Sequence, residues 1–180
     1  ESGDRLRRIF LTVAAGFLIA AAATLLWTLT LPGFAAPTRT IIVGSPESAA
    51  PSKGPAYLRG ETLYPRTALF TQDLLFLFER DVRFAPVVAP GSKDGSIRYF
   101  AELPPPPSGT DKASAAPVYG DPRAGHAGVL MRSDLPGSIR QLYGYAGLTI
   151  EKPYFVLYRS PVTMRWPYYV IAVQLLLGSL

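Results

Sequence analysis

The chain has no cysteine and no asparagine, a single histidine, and two methionines in 180 residues. Without cysteine, disulfides, thiolate metal sites, CxxCH haem attachment and thiol nucleophiles are excluded together. The lone histidine, His126 in GDPRAGHAG, lacks the further His or Cys partners that zinc sites draw on, and it reads as a loop residue on a glycine-rich turn. No GxSxG nucleophile elbow occurs, and neither do the phosphate-cradling patterns GxGxxG and GxxxxGK[ST]. Asp73, Glu79 and Asp81 fall close together, but Arg80 and Arg83 interleave with them, which favours local ion pairs over paired-carboxylate catalysis. The expectation is a protein that is not an enzyme, with no catalytic residue, no metal and no cofactor of its own.

Lysine is scarce as well, four against fourteen arginines, and with abundant Ala, Pro and Gly this is the usage of a GC-rich bacterial genome. Net charge is +5, yet from Thr38 to Ser160 fourteen basic residues face eleven acidic ones with no basic block. A nucleic-acid surface is therefore not expected.

What the chain does have is a long apolar run. Ile9 to Leu31, IFLTVAAGFLIAAAATLLWTLTL, carries no charge over 23 positions. As a helix it would measure roughly 35 Å, against a hydrocarbon core of about 30 Å, so it is read as a transmembrane helix. Arg5, Arg7 and Arg8 precede it, and the positive-inside rule puts residues 1–8 in the cytoplasm and the following polypeptide in the periplasm. A cleaved signal peptide, with Gly33-Phe34-Ala35 as its site, is the competing reading; the apolar run is long for that role. The first residue is Glu and the last lies in an apolar run, so the sequence is expected to be part of a longer chain.

Within the run, Thr12, Gly16, Ala20, Thr24 and Thr28 recur every fourth residue. They make a ridge of small side chains against which another helix can approach closely, and the hydroxyls can bond across the contact or back to their own helix. Trp27 near the outer end suits the membrane interface.

Residues 32–160 are expected to form a small extracytoplasmic α+β domain with long Pro/Gly-rich loops. Thr38–Val43 reads as a strand and Ser45–Pro55 as a loop. Ala68–Phe84 reads as a helix, capped by Thr71, with Phe70, Leu74, Leu77 and Phe78 on one face and Leu75 and Phe76 spilling over. Phe84–Ala89 and Ser96–Leu103 read as a hairpin, Pro104–Pro107 as a polyproline II spacer before the polar stretch Ser108–Ala116, and Gly128–Arg132 as a strand. Ser138 would cap a short helix closed by Gly147, and Tyr154–Arg159 is a last strand. The order fits a split βαβ sandwich.

Residues 161–180 end in WPYYVIAVQLLLGSL, which covers only about 22 Å as a helix and is read as a second, truncated transmembrane segment. Tyr158, Arg159, Arg165, Trp166, Tyr168 and Tyr169 gather before it like a headgroup-level belt. Two membrane segments around an outer domain, and few catalytic groups, point to an accessory scaffold subunit of a multi-subunit bacterial inner-membrane complex, in respiration, photosynthesis, transport or secretion. Its partners would be other subunits and the lipid bilayer. A membrane-anchored assembly factor or sensor is the alternative.

Overall fold

The computed structural model describes residues 2–74, 78–92, 96–105 and 120–180, and among these described residues eight strands and three α-helices follow one another. The chain divides into two units: Glu1–Leu31 with Met164–Leu180, and Pro32–Thr163.

The first unit is helical. Helix α1 runs from Ser2 to Trp27 and tightens into a 3-10 turn at Thr28–Thr30 before Pro32. Among the described residues it is the one helix long and apolar enough to cross a membrane. Its large side chains are uncovered: Phe10 is 66% exposed and Ile19 70%. The last helix, Pro161–Gly178 (α3), gives its residues from Met164 onward to this unit. A Cβ on Gly178 would lie 3.7 Å from the Phe17 ring. Within the same unit Ala21 and Ala172 are also buried.

The second unit is built on one mixed sheet. Its strands are Thr40–Ile42 (β1), Gly54–Arg59 (β2), Glu61–Thr62 (β3), Ala68–Leu74 (β4), Phe78–Val88 (β5), Ser96–Leu103 (β6), His126–Arg132 (β7) and Thr149–Tyr158 (β8). They lie in the order β1-β2-β7-β8-β6-β5-β3, with β4 pairing β5 next to β3. The pairs β1–β2 and β6–β8 are parallel and the rest antiparallel. This arrangement replaces the expected split βαβ sandwich, because β2, β3 and β4 extend the sheet and it curls on itself.

Gly60 shows how closely the curl closes. A Cβ there would stand 2.7 Å from both Val87 Cγ1 and the Val88 carbonyl, and 3.2 Å from Val43 Cβ, so only hydrogen fits between the β1 end and β5. Across the same closure the Tyr99 hydroxyl donates to the Ser48 carbonyl, in the 3-10 turn Pro46–Ala49 between β1 and β2.

Strand alternation then sorts the side chains onto two faces. Inside the curl sit Ile41, Ala56, Leu58, Val87, Tyr99, Ala101, Leu130, Phe155 and Leu157, with Tyr99 stacked on Phe155 at 5.3 Å. Each such large side chain contributes about 1.5–3 kcal/mol through burial. The opposite face is aromatic: Phe84 meets Tyr158 edge-on, and Phe100 touches Tyr143 and Tyr154. Helix α2, Gly137–Tyr145, covers this face through Ile139 and Tyr143, whose hydroxyl donates to the Phe84 carbonyl.

Two sequence expectations need correction here. Ala68–Phe84 is not a helix but the β4–β5 hairpin, paired from Ala68↔Phe84 to Leu74↔Phe78. Thr71 caps nothing; its hydroxyl donates to Asp81 Oδ1 across the strands at 2.8 Å. The run holds Phe, Thr and Val, and β6 on the far side of β5 decides the pairing, so tertiary contacts override a helical spacing that was fortuitous. Leu75, Phe76 and Leu77 lie outside the described residues, as do Pro106, Pro107 and Ser108–Ala116.

Ser138 likewise makes no cap bond, since the N-cap is Pro136 and Ser138 lies inside the first turn of the helix. Gly147 does close α2: it takes φ +72°, and the Leu148 amide reaches back to the Tyr143 carbonyl.

Candidate functional site

The ridge on α1 is divided by the protein's own packing. Thr28 is buried, and Ala20 and Thr24 are half-buried, whereas Thr12 and Gly16 are exposed. A Cβ on Gly16 would meet nothing within 4 Å. The threonine hydroxyls are spent locally: Thr12 donates to Arg8, Thr24 to Ala20 and Thr28 to Leu25, each through the backbone carbonyl. What remains on the ridge is therefore shape rather than hydrogen-bonding capacity.

The aromatic belt is also divided. Tyr158 is 3% exposed, its ring against Phe84 and its hydroxyl donating to the Asp134 carbonyl at 2.5 Å. It belongs to the outer-face core and presents nothing to a headgroup. Burial raises its pKa well above the ordinary tyrosine value. Trp27 and Arg159 are exposed, while Arg165, Trp166, Tyr168 and Tyr169 are half-buried.

Beside Tyr158, a buried carboxylate organises the turn into α3. Glu102 Oε2 accepts the Arg159 and Ser160 amides at 2.8 and 3.0 Å, and Oε1 accepts the Thr163 hydroxyl at 2.6 Å. Arg80 lies 3.5 Å from Oε1 and also donates to the Ser160 hydroxyl. Three donors and a cation satisfy the carboxylate, so its task is structural.

His126 sits at the start of β7, and its Nε2 is 2.8 Å from the Thr62 hydroxyl, which ties β3 to β7. Burial lowers its pKa, and the Arg159 charge acts in the same direction. The imidazole is half-buried and held by one hydroxyl, and it opens a strand rather than lying on the glycine-rich loop expected for it.

Another locus was not legible in the sequence. At one end of the curl the side-chain filling stops and a cavity of about 350 Å³ opens, within the range of small-ligand pockets. Val43, Val87, Val88 and Tyr99 form its apolar wall, and Ser45, Ser48, Ser92, Ser96, Arg98 and Glu151 bring polar atoms to it. Arg98 is pinned: Nη2 donates to the Ala49 carbonyl at 3.0 Å and Nε to the Pro153 carbonyl at 3.4 Å. Ser48 is committed too, donating to the Ser45 carbonyl and accepting the Gly44 amide. Ser45 Oγ is buried and has no hydrogen-bond partner among the described residues. Tyr99, with a pKa pushed by burial up to about 12, stays protonated and acts as wall rather than base. These residues come from four separate stretches that only closure of the sheet unites. The one sequence signal was the inward alternation of β6.

Comparison with protein-family models, curated proteins and solved structures returns no match to this chain.

Proposed function

We propose that this chain is a non-catalytic accessory subunit that helps to scaffold a multi-subunit bacterial inner-membrane complex. Helix α1 anchors it with the N-terminus in the cytoplasm, α3 enters the same bilayer, and the sheet unit lies in the periplasm. The open half of the α1 ridge carries this reading. Ala20, Thr24 and Thr28 are covered by the protein's own chain, whereas Thr12 and Gly16 keep a flat strip free for a partner helix. Support for α3 in the bilayer is the approach of Gly178 to Phe17, which lies well inside the uncharged run.

Gly16→Leu tests it, since the added side chain meets open space and should leave the fold intact. Purified from native membranes in mild detergent, the wild-type chain is expected in fixed stoichiometry with other subunits. The variant should lose most of that association while retaining its thermal midpoint. Normal co-purification of the variant would remove the proposed packing face.

The second reading, a membrane-anchored assembly factor or sensor, is favoured by one observation, the cavity at the end of the curled sheet.

A further inference from the structure

The cavity holds groups that the core does not use. Arg98 is fixed by two backbone carbonyls through Nε and Nη2, and its Nη1 has no partner among the described residues. Ser45 Oγ is buried with no hydrogen-bond partner among the described residues, an arrangement that native interiors seldom leave unexplained. Glu151 is exposed and also lines the cavity, so a half-buried cation and a carboxylate nearer solvent face the same space. They do not pair with each other, since among the described residues the ion pair within 4 Å is Arg80–Glu102. Arg98 on β6 and Glu151 on the neighbouring strand β8 thus bring opposite, unpaired charges to one pocket, which complements a molecule carrying both charges.

We propose that this cavity binds a small zwitterion, its acid group seated against Arg98 and Ser45 and its primary ammonium directed to Glu151 at the rim. The valine wall would take the short spacer between them. Two sources share that chemistry, a free solute of the amino-acid or phosphoethanolamine type and the headgroup of phosphatidylethanolamine. The inference is independent of the scaffold reading and of the α1 ridge.

The test is calorimetric titration of the full chain in detergent with phosphoethanolamine and, separately, with ethyl phosphate, which has no ammonium. Wild type is expected to bind one phosphoethanolamine per chain and to bind ethyl phosphate about tenfold more weakly. Glu151→Gln, at an exposed position, should erase that preference, so that the two probes bind with equal affinity. Arg98→Gln should weaken both probes. If this variant misfolds through loss of its carbonyl bonds, Glu151→Gln still decides the outcome.

A second arm separates the sources. In nanodiscs of phosphatidylethanolamine and phosphatidylglycerol, affinity for the free probe drops about tenfold relative to phosphatidylglycerol alone if the lipid headgroup occupies the site. Equal affinity in the two discs assigns a free solute. No saturable binding of phosphoethanolamine to wild type, or equal affinity for the two probes, would overturn the proposal.

Discussion

Helix α1 and the curled sheet are both rich in large apolar side chains, but they dispose of them in opposite ways. In the sheet Phe84, Phe100, Leu157 and Val156 are buried by other residues of the same unit. On α1 Phe10, Leu11, Leu18, Ile19 and Leu26 face outward, and the small residues Ala21 and Thr28 are the ones covered. A water-soluble helix buries its large residues and exposes the small or polar ones. The inversion is the surface pattern of a helix long and apolar enough to cross a membrane, whereas the sheet covers its large side chains with its own core.

The largest effect that sharpens this contrast lies inside the curl. Phe155→Ala removes a ring stacked on Tyr99 and should destabilise the sheet unit by about 3–5 kcal/mol. Ile19→Ala on α1 deletes a comparable apolar volume and should leave chemical unfolding of that unit unchanged within about 0.5 kcal/mol. Urea titration of the full chain in detergent, followed by tyrosine fluorescence, compares the two.

Next in size is Glu102→Ala. It strips acceptors from the Arg159 and Ser160 amides and the Thr163 hydroxyl, and a loss of about 2–3 kcal/mol is expected in the same titration. The Arg80 pair adds little to that figure because its guanidinium side is 39% exposed.

A smaller effect appears as pH dependence. Burial raises the Asp134 carboxyl from 3.8 to about 6, against the opposing influence of the Tyr158 hydroxyl and Lys53. A carboxyl whose folded pKa exceeds its unfolded one binds more protons when folded, so its contribution to stability is full below about 4 and is lost as pH rises through 6. The thermal midpoint should therefore fall between pH 4 and 6, and Asp134→Asn should flatten that segment of the profile. An unchanged slope in the variant would assign the dependence elsewhere.

The two regions differ in legibility for the same reason that they differ in solvation. An uncharged run such as Ile9–Leu31 needs no tertiary information, because one helix solves its own backbone hydrogen bonding in lipid. The strands Ser96–Leu103, Gly128–Arg132 and Tyr154–Arg159 also showed their alternation or β-branched content, and each corresponds to β6, β7 or β8 within a few residues. Ala68–Phe84 failed because its apolar residues fit either period, and the choice rests with β6, which follows a connecting loop. Tyr158 failed as a belt residue because a tyrosine beside an arginine near an apolar segment looks the same in sequence whether its ring is exposed or packed on Phe84. The cavity groups Ser45, Arg98 and Glu151 were illegible, since nothing local marks that the curl brings them together.

Because these 180 residues hold no cysteine, the central claim can be measured with thiols introduced by substitution. Ile19→Cys and Tyr145→Cys would be compared in intact bacterial cells with a membrane-impermeant maleimide. Tyr145, 90% exposed on α2, serves as the reference for the sheet unit. The account predicts rapid labelling at 145 and none at 19 until the membrane is dissolved and the chain unfolded. Labelling of residue 19 in intact cells, or protection of residue 145 until lysis, would contradict it.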